Sequence, residues 1–426
     1  MKVLHVSHAD VRGGAPRAAH RIHQGLRKSG IDSHMLVLKK YGDDPTVHIN
    51  ASPLTRIRAG VFNKIERSLV ALQKDGNPVY HSLGLFGSGL VKWIEDFDPD
   101  VVNLHWVNSG TLSIREIGTL RVPVIWTLHD MWAFSGCAHY DDPKSELRWQ
   151  QGFTRTNRPG SLRGIDLDRL VYSLKQRAWR RAAISVVTPS RWMGECARGS
   201  RLFAGRPCRV IANGVDTALY TPARRDEARR LWGIAPDQKV LLFGAMLSTA
   251  DPRKGFHLLT RALELGAEAL RELDCGLLVF GAPEGSVPTE IHGLPVRCIG
   301  VVNDEERLAS AYAAADVLAA PSMQENLPNT VVEAMASGTP SVAFDIGGLR
   351  DLIEHRVNGY LAAPFDPADL ARGITELLSQ DTAPLRERAR SFALDRLDDR
   401  IAAHAYADFY AEALRRSANP TGSAAA

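Results

Sequence analysis

Two doubly wound parallel sheets, one after the other in an α/β chain, are what this sequence predicts, and three observations predict it. Short apolar runs alternate with segments of helical period, as in successive β-α-β units. The alternation stops at a passage rich in Pro and Gly, "AGRPCRVIANGVDTALYTPARR", and then starts again. The 426 residues also exceed what one ordinary core organises, so two domains are expected.

The first half opens with the strand Val3-Leu4-His5-Val6-Ser7 and the turn Arg12-Gly13-Gly14-Ala15. A helix follows from Pro16 to about Lys28, with Ala19, Ile22 and Leu26 on one face. Met35–Leu38, Val101–Leu104, Val124–Leu128 and Ala183–Val187 read as further strands. The restart begins with the strand Lys239–Gly244 and a single helix through "RKGFHLLTRALELGAEALREL". Leu277–Gly281 and Arg297–Ile299 are strands, Leu308–Ala315 lies in a helix, and Val317–Ala320 and Ser341–Phe344 are strands again. Residues 1–212 therefore form a first domain and 213–394 a second, with a disordered tail over 417–426. Ligands of such sheets bind beyond the strand C-termini, so a cleft shared by two facing domains is the expected site.

Apolar residues at 45% and charged residues at 23% are the balance of a soluble globular chain. A formal charge of +4 is too mild to call for nucleic acid. The five cysteines are scattered without a C-x-x-C pair, which suggests reduced thiols in the cytoplasm. "MKVLHVSHADVRGG" has too short an apolar run for a signal peptide, and no stretch approaches ~18 apolar residues.

The chemistry concentrates in "SMQENLPNTVVEAMASGTPSVAF", residues 322–344. Glu325 precedes a helix start and Glu333 lies about a turn inside it. Backbone N–H groups of Asn326, Leu327, Asn329 and Thr330, around Pro328, can face a phosphate at the positive end of that helix. Glu333 then suits a ribose diol, and Glu325 whatever lies beyond the phosphates. Spacing alone also fits a solvated Glu325 and a surface Glu333. Arg253 and Lys254, at a strand-to-helix turn, can neutralise a diphosphate without a metal; taken alone they also fit a basic helix start. Gly13-Gly14 lets backbone approach a ligand, but neither G-x-G-x-x-G nor the phosphate-loop pattern is present, which argues against a nicotinamide oxidoreductase. His129, at a strand end, can accept a hydrogen bond from a hydroxyl, or be structural. Trp106 and Trp132 can stack on sugar rings or belong to the core. Cys137-Ala138-His139 lacks the second ligand pair that zinc needs, so no metal is expected.

Two stretches combine basic and apolar residues at helical spacing. Residues 52–74 hold Leu54, Ile57, Val61, Ile65 and Leu69 with Arg56, Arg58, Lys64, Arg67 and Lys74. Residues 168–182 hold Leu170, Val171, Leu174 and Trp179 with Arg169, Lys175, Arg177, Arg180 and Arg181. Either can lie on anionic lipid or be an ordinary surface helix.

Taken in order, "RGGA", "TLHDMWAFSGCAHY", "TPSRWM", "VIANGVDTALYTP", "DPRKGFHLL", the E-x7-E element and "GGLRDLI" give a resemblance that covers nearly the whole chain. The chain resembles the retaining GT-B enzymes of glycosyltransferase family four, and is most similar to the bacterial branch that builds exopolysaccharides and lipopolysaccharides, including colanic-acid-type enzymes. The resemblance implies two Rossmann-like domains facing across a cleft, with a last helix at about 395–416 crossing back to the first. It implies a nucleotide-diphosphate sugar as donor substrate, no cofactor or metal, and a lipid-linked oligosaccharide as acceptor; contact of this cytoplasmic chain with the inner face of the cell membrane is a separate expectation, from the two basic amphipathic stretches. Gly14 backbone is implied to approach the diphosphate, and His129 to contact the donor sugar at the reaction centre. Arg253 and Lys254 are implied to bind the diphosphate and stabilise the leaving group. Glu325 would hold sugar hydroxyls, 326–330 backbone the sugar and phosphate, and Glu333 the ribose. Two departures stand out: Ala245 replaces an arginine common in relatives, and only Cys137 remains of the several cysteines some relatives carry. A catalytically silent sugar-nucleotide-binding or membrane-docking partner of a polysaccharide assembly complex is the alternative outside enzymes.

Overall fold

The computed structural model describes residues 1–50, 52–74, 76, 79–141, 147–244, 249 and 251–418; Ala245 lies outside them. The chain divides into two compact units, Met1–Ile211 with Ala403–Ala426, and Ala212–Ala402.

In the first unit the elements are β1 (Lys2–Ala9), α1 (Gly14–Lys28), β2 (Asp32–Lys39), β3 (Val47–Ile49), α2 (Pro53–Val70), β4 (Gln73–Lys74), α3 (Leu90–Phe97), β5 (Val101–Leu104), α4 (Ile114–Thr119), β6 (Val124–Thr127), α5 (Arg148–Gln151), β7 (Arg163–Gly164), α6 (Leu167–Trp179), β8 (Ile184–Thr188), α7 (Arg191–Gly199) and β9 (Cys208–Val210). Among the described residues the main sheet is parallel with strand order β3-β2-β1-β5-β6-β8-β9. Its central strands are apolar runs because helices cover both faces. The strand order reverses between β1 and β5, so that is the switch point.

The second unit contains α8 (Arg225–Leu231), β10 (Lys239–Gly244), α9 (Phe256–Leu265), α10 (Ala267–Glu272), β11 (Cys275–Phe280), β12 (Glu290–Ile291), β13 (Leu294–Cys298), α11 (Glu305–Ala314), β14 (Val317–Ala320), α12 (Asn329–Ala336), β15 (Ser341–Phe344), β16 (Gly359–Ala362), α13 (Pro367–Ser379) and α14 (Ala383–Arg396). Its sheet runs β12-β13-β11-β10-β14-β15-β16, with β12 antiparallel and the switch point between β10 and β14. The single helix expected after β10 is interrupted. Gly266 (φ −98°, ψ 6°) leaves helical geometry between α9 and α10.

The final helix, α15 (Asp399–Ala418), begins in the second unit and belongs to the first from Ala403 onward. Tyr406 and Tyr410 on it are buried against the first sheet: Asn103 Nδ2 donates to the Tyr410 hydroxyl (2.6 Å), and the Tyr406 and Thr127 hydroxyls share a bond of 3.1 Å. Of the tail expected over 417–426, Ser417 and Ala418 are helical and the rest lies outside the described residues.

The two amphipathic stretches pack differently from their apolar spacing. Among the described side chains of α2 the buried ones are Thr55, Ala59 and Glu66, while Ile57, Val61 and Ile65 are 63%, 49% and 41% exposed; Leu54 and Arg56 lie outside the described side chains. Glu66 decides this orientation, because its carboxylate accepts backbone N–H bonds from Leu85 (2.7 Å), Phe86 (3.2 Å) and Gly84 (3.3 Å). In α6, Leu170 and Leu174 are exposed whereas Val171 and Trp179 are buried. Lys175, expected on the basic face, is fully buried with its ammonium 3.8 Å from the Trp132 ring centroid and bonded to the carbonyls of Trp132, Ser135 and Gly136. β4 pairs with β7, which joins the end of α2 to the start of α6.

Candidate active site

Each unit carries a polar cluster at its own switch point. In the second, the chain leaves β10 and reaches a short 3-10 turn, Pro252–Lys254. Asp251 caps that turn and holds Arg253, accepting from its backbone N–H (3.0 Å) and from its guanidinium (2.7 Å). Burial pushes the Asp251 carboxyl up, but the Arg253 hydrogen bonds and charge outweigh it and the net shift is downward. Gly255 follows at φ +71°, and a Cβ there would stand 1.9 Å from the Pro321 carbonyl, so only glycine lets this turn touch the end of β14. The approach lets Lys254 Nζ reach Glu325 Oε1 at 2.5 Å, and the Ser322 hydroxyl donates to the same oxygen at 3.0 Å.

Beyond Glu325 the chain passes buried Asn326 and Leu327 to Pro328, the N-cap of α12. No side chain caps this helix and its first turn holds no acidic residue, so the positive dipole end is left to another group. Asn213 steadies the turn: its Nδ2 donates to the Leu327 carbonyl (3.3 Å) and to Asn329 Oδ1 (3.0 Å). Glu333, one turn into α12, is 1% exposed and Glu325 is 8% exposed, which excludes the reading of both as solvated surface carboxylates. Behind Glu325, Gly347 packs so closely that a Cβ would lie 2.1 Å from the Glu325 carbonyl oxygen. Loops after β10, β14 and β15, neighbours in the sheet, thus fix one lysine and one carboxylate at its C-terminal edge.

In the first unit the loop after β1 is held by buried Asp10, whose carboxylate accepts from the backbone N–H groups of Val11, Tyr41 and Gly42. Gly13 takes φ +108°, which makes it the conformationally required glycine of the pair; at Gly14 a Cβ would meet nothing within 4 Å, so the start of α1 is open there. His105 and Trp106 follow β5, and His129 follows β6. The ring of His129 is half-buried, and burial lowers its pKa from 6.5 to about 4 against the opposing pull of Asp130. Asp130 accepts from His139 Nδ1 (2.6 Å), Trp106 Nε1 (3.1 Å) and the backbone N–H of Trp132 (3.0 Å).

The structure brings Lys254, Glu325, Asn326–Thr330 and Glu333 into one cluster, with Arg253 on the turn beside it, and Gly14, Trp106 and His129 into the loops of the other. Trp132 is corrected. It is 1% exposed, with its indole N–H donating to the Ser82 carbonyl at 2.8 Å, so it packs the core and stacks on no ligand. Cys137 and His139 are engaged apart, Cys137 with Asp168 (3.0 Å) and His139 with Asp130 and Ser82. Sequence reasoning missed Asp251, Ser322 and Asn213. The signal for Asn213 lies in "ANGVD", at the crossing between the two halves.

Comparison with known proteins supplies the family. The model described as Glycosyl transferases group 1 matches residues 237–380, and the one described as Glycosyltransferase Family 4 matches residues 12–219. D-inositol 3-phosphate glycosyltransferase of Actinosynnema mirum is 31% identical over 412 residues, covering 89% of this chain and 88% of that one. Among solved structures, sucrose-phosphate synthase from Thermosynechococcus elongatus superposes with a TM-score of 0.69 at 18% identity, covering 97% of this chain and 99% of that one. Anabaena HepE in complex with UDP gives 0.59 at 21%, covering 97% and 100%. These structural likenesses establish the fold, two Rossmann-like α/β domains of the GT-B kind. With both halves matched in order and a relative aligned along most of its length at 31%, the chain belongs to glycosyltransferase family 4.

Proposed function

We propose that this glycosyltransferase is a retaining, metal-independent enzyme that moves a sugar from a nucleotide-diphosphate donor to a lipid-linked saccharide in cell-surface polysaccharide biosynthesis, of the exopolysaccharide and lipopolysaccharide kind. The observation that carries the donor half is the Lys254–Glu325 pair (2.5 Å) beside the uncapped start of α12. Lys254 and Arg253, with the helix dipole, offset charge that develops on the departing diphosphate. Glu325 accepts from sugar hydroxyls, backbone of Asn326–Thr330 cradles sugar and phosphate, and Glu333 holds the ribose. Gly14 leaves room for the diphosphate and His129 contacts the donor sugar. The anomeric carbon loses its bond to the phosphate oxygen and gains one to the acceptor oxygen on the same face, and a phosphate oxygen takes the acceptor proton. Trp106 is the remaining candidate for stacking on the acceptor. The complex of HepE with UDP supports a nucleotide-diphosphate donor.

A second acceptor reading, a polyol phosphate, is favoured by the relative named for D-inositol 3-phosphate. Incubation with a panel of nucleotide sugars, each with a lipid-linked saccharide or with inositol phosphate, separates the two by the product formed. Donor binding without diphosphate release under any acceptor supports the silent binding partner instead. Lys254→Ala should lower turnover at least ~10²-fold, as loss of a leading electrostatic contact does. Near-normal turnover in that variant would break the assignment of the donor site.

Contact with the inner face of the cell membrane is a separate proposal, carried by the two amphipathic helices. The exposed stripe Ile57, Val61 and Ile65 is accompanied by exposed Arg58, Lys64 and Arg67, and exposed Leu170 and Leu174 by exposed Arg177, Arg180 and Arg181. Apolar contact and positive charge together suit anionic lipid. Among the described residues no helix is long and apolar enough to cross a membrane. The chain should sediment with phosphatidylglycerol vesicles at low salt, and Ile57→Asp with Val61→Asp should weaken this; equal sedimentation of the double variant counts against the surface.

A further inference from the structure

Three histidines on adjacent strands of the first unit form a hydrogen-bonded row that ends at His129. His5 lies within β1, His105 follows β5 and His129 follows β6, and these strands are neighbours in the sheet. His5 Nδ1 and His105 Nε2 are 3.0 Å apart, and His105 Nδ1 and His129 Nε2 are 3.1 Å apart. The rings stack in sequence, with centroids at 5.3 Å and 5.4 Å and interplanar angles of 25° and 27°. At the inner end, His5 is completely buried and its Nε2 has no hydrogen-bond partner among the described residues. His23 and Tyr410 meet it edge-on, and their own polar atoms are committed to Ser33, Thr46 and Asn103. At the outer end, no hydrogen bond to His129 Nδ1 is found among the described residues, and the ring reaches the surface.

A hydrogen bond between two neutral imidazoles holds one proton, and each neutral ring carries one N–H. Two such bonds in series therefore leave two arrangements for the row. Either all three rings are protonated at Nε2, which buries an orphan N–H on His5, or all three are protonated at Nδ1, which leaves a bare nitrogen there. Orphan buried N–H groups are the rarer of the two in proteins. We infer that His5 and His105 are positioning residues that hold His129 as its Nδ1–H tautomer, so that His129 presents a hydrogen-bond donor to its ligand. The same conclusion reverses the acceptor role that its strand-end position suggested. Burial supports neutrality of the row: it lowers His5 and His105 well below the usual histidine range, with neighbouring histidines adding to it. His5 is completely buried, so its part in the site is invisible to a list of exposed residues. Only the ligand-side consequence rests on the proposed function; the tautomer itself rests on the row.

The test is a two-bond 15N–1H correlation spectrum of the full chain labelled on histidine ring nitrogens, near neutral pH. The expected pattern is a bare Nε2 and a protonated Nδ1 for all three residues, with the His129 signals identified by their loss in His129→Asn. A protonated Nε2 on His129, or an imidazolium, overturns the inference. His5→Gln retains an amide donor for His105 Nε2 and should keep the single tautomer. His5→Phe removes it, and should leave His129 as a tautomer mixture with kcat reduced about 10-fold or more while the donor KM changes little. If His5→Phe fails to fold, the native spectrum and His5→Gln still decide the matter. A correct spectrum combined with full activity of His129→Asn would uphold the row and remove His129 from the transfer reaction.

Discussion

Acidification from pH 7 to 5 should destabilise the first domain selectively, and the size of the effect follows from its buried histidines. Burial lowers His8 and His129 from 6.5 to about 4. Between those values the unfolded chain binds the proton and the folded chain does not, so stability rises with pH and is lost on acidification. Each such histidine loses about 2 kcal/mol between pH 7 and pH 5, with His129 at the lower end because its ring reaches solvent. His5 and His105 act in the same direction. Glu66 opposes them, because burial raises its pKa and protonation then favours the folded state. A loss of about 4 kcal/mol is therefore the scale expected from His8 and His129 together before that opposition. Seven of the eight tryptophans lie in residues 1–211, so indole fluorescence in urea reports this domain. The urea midpoint should fall steadily from pH 7 to pH 5 with the slope of the transition unchanged. A midpoint independent of pH across that window would refute the argument that these histidines are buried and neutral.

Two further outcomes separate site from scaffold. Asn213→Ala removes two hydrogen bonds to the turn before α12, and should raise the donor KM about 10-fold while costing about 1–3 kcal/mol; urea unfolding followed by Trp232, the one tryptophan of residues 212–402, reads the stability and initial rates read the KM. Trp132→Ala should destabilise by about 3–5 kcal/mol because the ring is wholly buried, whereas half-buried Trp106→Ala should cost about 1 kcal/mol and act on acceptor kinetics; equal losses of stability would contradict the assigned environments.

The strands were legible because helices cover both sheet faces, which turns β10, β14 and β15 into uninterrupted apolar runs. Glu325 and Glu333 were legible because both belong to one local strand-loop-helix passage. The contact of Lys254 with Glu325 was not, since it joins positions 71 apart and requires β10 and β14 to be neighbours. The histidine row spans separations of 100 and 24 residues and depends on strand order in the same way. Helical spacing placed Ile57, Val61 and Ile65 on one face correctly, but it carries no sign. The three backbone bonds accepted by Glu66 turn that face outward, and a carboxylate anchored by a distant loop leaves no local trace.

The way α15 completes the first sheet also bears on how the protein is made. Asn103 and Thr127, in the middle of that sheet, find their hydroxyl partners on Tyr410 and Tyr406, separated from them by 307 and 279 residues. While a ribosome is still working through the second domain, these two polar side chains stand in an unfinished apolar interior. The amino-terminal half must then wait, incompletely packed, until the final helix leaves the exit tunnel. A fragment ending near Ile211 would inherit that unfinished state permanently, which makes a two-piece co-expression carrying α15 on the second piece the natural route to assembling the protein from parts.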